Sequence, residues 1–187
     1  MDFESFSFPR RVNRDKGVTL IELLVTVVVL GILSTIAAPS FLSFLEKQRL
    51  LGSVQGAANF IKLARAESLK RSTGVAFVVD RVDSMTWCYG LTDNVSLTCD
   101  CFIENSCSVG SKTYENLNTE FPNIKLSSVT PSNSVSAAFE STRGTINPTV
   151  SMVFETESGN SLELSTTLLG SSSICSSTGS FGGYDEC

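Results

Sequence analysis

The stretch that decides the fold runs from residue 16 to residue 45 and reads KGVTLIELLVTVVVLGILSTIAAPSFLSFL. Its last 28 residues, 18–45, contain one charged side chain, Glu22. As an α-helix this segment would be about 42 Å long, at about 1.5 Å per residue, which is more than a bilayer requires. The sequence therefore predicts a membrane-spanning helix over residues 18–45.

The charges on either side of this helix predict its orientation. Four basic residues crowd its N-terminal side, Arg10, Arg11, Arg14 and Lys16. Only Lys47 and Arg49 follow it closely. Because cytoplasmic flanks of membrane helices carry the excess of Lys and Arg, we expect a single-pass protein of the bacterial inner membrane with a cytoplasmic N-terminus. Residues 46–187 would then form a periplasmic head.

Three other interpretations of residues 18–45 are a cleavable secretory signal, a plain membrane anchor and a buried core helix. The segment Ile36-Ala37-Ala38 has the small residues of a secretory cleavage site, but the apolar stretch is about twice the usual 7–15 residues. A plain anchor does not explain Glu22, because an acidic side chain inside a membrane helix costs about 2.5–3.5 kcal/mol and usually marks a function.

The residues around that carboxylate resemble a known processing signal. They read Lys16-Gly17-Val18-Thr19-Leu20-Ile21-Glu22-Leu23-Leu24, and closely resemble the class III signal of type IV prepilins and type II secretion pseudopilins. The resemblance implies that prepilin peptidase cuts between Gly17 and Val18, so that residues 1–17 are a cleaved leader and the apolar helix stays on the mature protein. It also implies N-methylation of Val18, which stands where phenylalanine is commoner in the family.

The same cut would give Glu22 a partner. It creates a new α-amine on Val18, and such amines are mostly cationic at neutral pH. In a filament of parallel helices, Glu22 of one subunit would meet the amine of another, and removing one member of a buried ion pair typically costs about 3–5 kcal/mol. We therefore expect Glu22 to act in filament assembly.

Gly31 and Pro39 interrupt the same helix, and family members commonly have helix-softening residues at similar places. Proline removes one intrahelical hydrogen bond and kinks or opens a helix, so we expect a local opening after Ala38. Membrane helices tolerate both residue types without any special role, which is the alternative explanation.

Beyond Pro39 the helical periodicity continues to about Ser72. The apolar positions recur at three- and four-residue spacing, at Leu51, Val54, Ala58, Ile61 and Ala64 or Arg65. Residues 46–71 hold six basic and two acidic side chains, a net charge of +4, which predicts a solvated basic face opposite that stripe. The segment Ala64-Arg65-Ala66-Glu67-Ser68-Leu69-Lys70-Arg71 resembles the minor pilin and pseudopilin branch labelled GspH/FimT (FimU-like).

After Ser72 the pattern changes to short alternating runs broken by Gly, Asn, Asp and Pro, which predicts antiparallel strands. We expect strands at Val75–Asp80, Met85–Tyr89, Ile124–Val129, Val135–Phe139, Val150–Glu155 and Leu162–Thr166. The first two would form a hairpin, and the last two would join through Ser158-Gly159-Asn160. Trp87 and Phe154 are expected in the core, and the Ser/Thr-rich stretches 127–136 and 171–180 are expected to be surface loops.

All six cysteines fall in the predicted head: Cys88, Cys99, Cys101, Cys107, Cys175 and Cys187. An even number in an oxidising compartment predicts disulfides, and sequence closeness favours Cys175 with Cys187. The other four would tie down the loop from 88 to 107. A zinc site of Cys99, Cys101 and Cys107 is the rival interpretation, although it lacks the usual pair of Cys-x2-4-Cys clips.

The composition also restricts function. Histidine is absent, so Ser-His-Asp, Cys-His and histidine-zinc sites are unavailable, and we expect neither catalysis nor a cofactor. One branch of the family binds DNA through a G-R-x-R motif, but the aligned place here reads Gly170-Ser171-Ser172-Ser173. Residues 72–187 hold four basic and thirteen acidic side chains, a net charge of −9, which opposes contact with phosphates. A nucleic-acid partner is therefore not expected.

These observations predict an α+β protein of the type IV pilin fold, with a long N-terminal helix packed on an antiparallel sheet and disulfides in the head. The expected function is that of a minor type IV pilin, which primes or caps pilus assembly with other minor pilins and the major pilin. A type II secretion minor pseudopilin, similar to GspH, is the first alternative. A DNA-binding pilin for natural transformation is the second.

Overall fold

The computed structural model describes residues 17–94 and 96–187, and only the backbone of residues 36–39. The predicted leader 1–17 therefore lies outside the described residues except for Gly17. The chain divides into two compact units, Met1–Phe41, described from Gly17, and Leu42–Cys187. The second unit confirms the predicted α+β class, because a helix packs there on antiparallel sheets that carry disulfides.

One helix, α1, covers Leu20–Arg71. Its first helical hydrogen bond runs from the Leu23 amide to the Thr19 carbonyl, at 3.1 Å. The helix ends where Ser72 adopts a left-handed conformation with φ of 53°, which an α-helix cannot continue through. The predicted end near Ser72 is confirmed to within one residue.

Two antiparallel sheets form most of the head. The five-stranded sheet has the order β5-β2-β1-β7-β8, and the four-stranded sheet has the order β11-β10-β9-β6. A small third sheet pairs β3 with β4. The strands are β1 Val75–Arg81, β2 Trp87–Thr92, β3 Ser108–Val109, β4 Lys112–Thr113, β5 Glu115–Leu117, β6 Ile124–Thr130, β7 Ser134–Phe139, β8 Ile146–Asn147, β9 Ser151–Thr156, β10 Ser161–Thr166 and β11 Ser172–Ser176.

The core lies between the C-terminal part of α1 and the sheets. The helix buries a stripe of Leu50, Val54, Ala57, Ala58, Ile61 and Ala64. The prediction placed Leu51 on this stripe, but Leu51 is only partly buried and Leu50 takes the core position. Trp87 and Phe154 are fully buried, as predicted, and their rings meet edge to face at 5.5 Å.

Tyr89 is a buried polar residue that the sequence did not single out. Its ring packs edge to face on Phe60, with 5.0 Å between centroids, and burial raises the pKa of its hydroxyl. Among the described residues this hydroxyl has no hydrogen-bond partner. Gly56 of α1 leaves room for it, because a Cβ at position 56 would lie 2.7 Å from the Tyr89 oxygen.

Two predicted loops are partly wrong. Residues 171–180 contain β11, which pairs with β10, and residues 127–136 contain the end of β6 and the start of β7. Both stretches are rich in Ser and Thr, yet these side chains bond across the strands or to nearby backbone, as Ser165 does with Ser173 at 3.0 Å. The prediction also missed the two- and three-residue strands, which are too short to show a periodicity.

Candidate assembly site

The predicted cleavage site lies immediately before α1. Gly17, Val18 and Thr19 have no regular secondary structure, and the described side chains from Val18 to Thr35 are all exposed. A Cβ added at Gly17 would meet nothing within 4 Å. Glycine at this position is therefore not required by packing within the described residues.

Thr19 and Glu22 form the beginning of α1 together. The Glu22 amide donates to Thr19 Oγ1 at 3.3 Å, so that the pair has the Thr-x-x-Glu spacing of a capping box. A carboxylate in the first helical turn also interacts favourably with the helix dipole. The Glu22 side chain is exposed and forms no ion pair with any described residue, which leaves its charge available to a partner outside the chain.

The described residues of the first unit present an apolar surface. Their exposed large apolar side chains are Val18, Leu20, Ile21, Leu23, Leu24, Val25, Val27, Val28, Val29, Leu30, Ile32, Leu33 and Phe41. The few hydroxyls among them donate to helix carbonyls, as Thr26 does to Leu23 at 2.8 Å and Ser34 does to Leu30 at 2.7 Å. Because these polar groups are satisfied within the helix, the segment suits lipid or other apolar helices.

Considered singly, none of the helices in the described residues has the length and hydropathy needed to cross a membrane. The segments Leu20–Thr35 and Ser40–Arg71 satisfy that test only when taken as a bent pair, and only by length and composition.

Of the two predicted helix-softening residues, the structure describes the surroundings of Gly31 but not the side chain of Pro39. A Cβ at Gly31 would meet nothing within 4 Å, so the glycine is not needed for packing within the described residues. The side chain of Pro39 lies outside the described residues, and α1 runs through its position without ending. Both assignments stay predictions.

The head contains three disulfides. Cys175 bonds to Cys187, the pair that sequence closeness favoured, and the remaining bonds join Cys88 to Cys101 and Cys99 to Cys107. The rival zinc interpretation is wrong, because Cys99, Cys101 and Cys107 are all oxidised and a disulfide sulfur is not a thiolate ligand. Gly90 of β2 accommodates one bridge, since a Cβ there would lie 2.7 Å from Cys107 Sγ.

The C-terminal disulfide loop packs back on α1. The Lys47 ammonium lies 5.2 Å from the Phe181 ring centroid, and Gln55 Nε2 donates to the Tyr184 hydroxyl at 3.2 Å. A Cβ at Gly182 would lie 2.7 Å from a methyl group of Leu51, so only glycine permits this approach. The chain terminus is thus held against the helix.

A second contact joins α1 to the β9–β10 turn. The amide and hydroxyl of Ser158 both donate to Glu46 Oε1, at 3.1 and 3.0 Å. The sequence predicted this turn but not its helix partner, which is 112 residues away.

A further cluster lies near the place aligned with the G-R-x-R motif. Lys62 and Arg65 of α1 line a pocket of about 430 Å³ together with Ala66, Leu69 and the Gly170–Ser172 turn. This is the Lys62–Arg65 pocket. No acidic residue lines it, although the head as a whole is acidic. The sequence did not predict it, because the cations and the turn are about a hundred residues apart.

The comparisons with known proteins give one match. Residues 12–38 match the model of the prokaryotic N-terminal methylation motif. No curated protein and no solved structure matches the chain. A motif of this kind indicates a structural protein that is anchored in the membrane, processed by prepilin peptidase and assembled with other pilins. The match therefore supports a type IV pilin-like protein.

Proposed function

We propose that the chain is a minor type IV pilin, a structural subunit that primes or caps pilus assembly together with other minor pilins. The observation that carries this proposal is the motif match over residues 12–38, on a helix whose described N-terminal part is exposed and apolar. The resemblance of residues 64–71 to the GspH/FimT branch supports the minor role.

The proposal divides the chain by function. Residues 1–17 are the leader, residues 18–45 are the membrane and filament-core helix, and residues 46–187 are the periplasmic head. Prepilin peptidase cuts after Gly17, and the released amine of Val18 is methylated. The protein resides in the inner membrane until it enters the pilus.

Glu22 has two roles in this proposal. Within the chain it stands three residues after Thr19, where its charge favours the helix start. Between chains it pairs with the amine of Val18 on a neighbouring subunit, which removes the cost of burying either charge alone. Gly31 and Pro39 let the helix adapt as it moves from lipid into the filament.

The N-terminus of the mature protein tests this proposal. Mass spectrometry of membrane-extracted protein should find Val18 as the first residue in cells that have prepilin peptidase, and Met1 or its processed equivalent in cells that lack it. A Gly17→Val variant is the matched control, because the added side chain meets open space and any loss of cleavage then reflects the peptidase. Intact precursor in peptidase-positive cells would contradict the proposal.

Deletion of the gene distinguishes the minor pilin assignment from the type II pseudopilin assignment. Loss of twitching with normal protein secretion is expected for a pilin. Loss of protein secretion with normal twitching would instead assign the chain to the type II pseudopilus, which shares the N-terminal signal.

A further inference from the structure

The Lys62–Arg65 pocket carries positive charge that the chain does not neutralise. No described carboxylate lies within ion-pair distance of Lys62 or Arg65. The neighbouring cations differ, because Lys70 and Arg71 bond to Glu67 at 3.3 and 2.6 Å. The pocket therefore has two cations available to an external anion.

The guanidinium of Arg65 is held in position beside the pocket. A Cβ at Gly144 would lie 2.9 Å from its Nε, and a Cβ at Gly170 would lie 3.3 Å from its Cδ. The buried Nε has no acceptor among the described residues. Buried donors without a partner are rare, so this one calls for an acceptor nearby or for a group that neutralises its guanidinium.

Exposed apolar side chains lie in the two segments that form the pocket. Leu69 lines the pocket and is 43% exposed. The turn that contributes Gly170 also carries Leu168 and Leu169, which are 66% and 71% exposed. A ligand that satisfies the whole surface must offer an anionic group next to apolar groups, and a carboxylate is the anion that a protein side chain supplies.

The chain itself presents such a group. Phe102, Ile103 and Glu104 are consecutive and exposed at the end of the disulfide-bonded loop, and we name them the 102–104 tip. Ile103 is 58% exposed. The Glu104 carboxylate forms no ion pair within the described part of the chain.

Disulfides and local hydrogen bonds restrict the conformation of the tip. Disulfides at Cys101 and at Cys99–Cys107 flank it. The Phe102 amide donates to Asp100 Oδ1 at 2.9 Å, and the Ile103 amide donates to the Asp100 carbonyl at 3.1 Å. A preorganised loop loses little entropy on binding, which favours a specific contact.

We propose that the 102–104 tip of one copy of this chain docks in the Lys62–Arg65 pocket of a second copy. Glu104 pairs with Lys62 and Arg65, while Phe102 and Ile103 pack on the leucines around the pocket. The two surfaces are different patches, so the contact is heterologous and leaves a free tip and a free pocket at the ends. A contact of this type fits subunits that stand next to one another in a filament, and in that sense it rests on the proposed assembly role.

Zero-length crosslinking tests the contact. Full-length protein that has passed through the cell's own processing is purified in detergent micelles, half of it labelled with ¹⁵N, and the mixture is treated with a carbodiimide, which joins a lysine amine directly to a carboxylate. The expected product is a Lys62–Glu104 crosslinked peptide with one labelled and one unlabelled half. Absence of this peptide, or its occurrence only with both halves from one chain, would overturn the proposal.

Charge reversal provides the specificity test. Glu104→Lys, and Lys62→Glu with Arg65→Glu, each remove one reacting group of the Lys62–Glu104 crosslink and should abolish it. Arg65→Glu alone keeps both reacting groups and should lower the yield of this crosslink at least about tenfold. Mixing Glu104→Lys with the double variant should restore a crosslink between positions 104 and 62, now only between unlike chains, because each reversed surface meets a complementary one. Glu157→Lys is the matched control, since this acidic residue is exposed, lies outside the tip and should leave crosslinking unchanged. An unaltered Lys62–Glu104 yield in the Arg65→Glu variant, or the absence of a crosslink between positions 104 and 62 in the mixture, would contradict the contact.

Two further measurements separate the possible failures. The first is the binding of a fluorescent DNA duplex in low salt. If the pocket takes phosphates instead, the duplex binds the parent chain and not the Lys62/Arg65 variant. That result, together with the absence of the crosslink, overturns the proposal. The N-terminal mass of the same preparation reports the proposed function. A chain that begins at Val18 without the crosslink leaves the pilin assignment intact and rejects this contact alone.

Discussion

At the scale of single residues, the environments of two polar side chains, Tyr89 and Glu22, need an explanation. Tyr89 buries a hydroxyl without a partner among the described residues, and Gly56 leaves the space for it. Glu22 has the opposite problem, because it is exposed within the chain and becomes costly only in an apolar surrounding. Contacts within the described residues explain Tyr89, whereas the proposed pairing between subunits is our explanation for Glu22.

Gly56 and Tyr89 should be energetically coupled. Gly56→Ala places a methyl group 2.7 Å from the Tyr89 oxygen and should destabilise the head by about 1–3 kcal/mol, as overpacking does. In a Tyr89→Phe background the nearest atoms would be Phe121 Cζ at 3.7 Å and the ring of residue 89 at 4.0 Å, both ordinary contacts. The same substitution should then stabilise the helix by up to about 1 kcal/mol, because alanine is the better helix former.

Thermal denaturation of the four chains in detergent measures this coupling. Tyr89→Phe alone should not destabilise the protein, since it removes an unpaired buried hydroxyl. Equal effects of Gly56→Ala in both backgrounds would show that the hydroxyl is not what the glycine accommodates.

Two substitutions should separate the two proposed roles of Glu22. Glu22→Ala removes the charge and the possibility of a capping box, whereas Glu22→Gln keeps a side chain that can reach the cap and removes only the charge. If the intermolecular pair matters, both variants should insert in the membrane but enter pili poorly, since an unpaired buried amine costs about 3–5 kcal/mol. Immunoblots of sheared pili and of membranes measure the two steps. Normal incorporation of Glu22→Gln would show that the charge is dispensable.

At the scale of elements, α1 is joined to the head by a packed stripe and by a few polar contacts near its middle. Glu46 accepts two hydrogen bonds from Ser158, and Lys47 lies over Phe181. Both contacts are near Leu42, where the second unit begins. They therefore hold the N-terminal end of the packed part of α1, opposite the end at Arg71 that leads into β1.

Removing the Glu46 contact should weaken this junction. Glu46→Ala leaves the Ser158 amide and hydroxyl without their shared acceptor, and we expect a loss of about 1 kcal/mol because the site is exposed to water. For a chain of this size that corresponds to a fall in Tm of about 2–4 °C. Glu157→Ala, one residue before Ser158 and without a described hydrogen bond from its side chain, is the control. An equal fall in both variants would argue against a specific role of Glu46.

The elements also show how far a sequence can be interpreted alone. The helix end, the first hairpin and the β9–β10 pair were predictable, because periodicity and turn residues are local signals. β11 was not predictable, since a serine-rich segment is typical of a loop and its pairing with β10 is not a local signal. The Lys62–Arg65 pocket and the Glu46–Ser158 contact depend on residues about a hundred positions apart, and no local pattern encodes such proximity.

At the scale of the whole molecule, the disulfides stabilise loops rather than the main core. One joins Cys88 of β2 to the loop that follows it, one closes that loop from Cys99 to Cys107, and the third ties the C-terminal segment to Cys175 of β11. The central cluster of the head consists of apolar side chains from α1 and both sheets. Loss of one bridge should therefore weaken the protein without changing its fold.

Replacing Cys175 and Cys187 together by serine tests whether this disulfide stabilises its own segment and not the core. A bridge with a sequence separation of 12 should contribute about 3 kcal/mol, mainly by restricting the unfolded chain. We expect a lower denaturation midpoint, an unchanged far-ultraviolet circular dichroism spectrum, and faster amide exchange confined to the segment that packs on Lys47 and Gln55. Loss of exchange protection throughout the sheets would instead make this bridge essential to the core.

The positions of the disulfides also have a mechanical consequence. All three lie between residues 88 and 187, so none connects α1 to the sheets. Tension that enters through the helix must therefore pass to the head through side-chain packing, the polar contacts of α1 and the single covalent path from Arg71 into β1. Detaching the helix from the sheets would break no disulfide, so every cross-link would be in place for it to pack again.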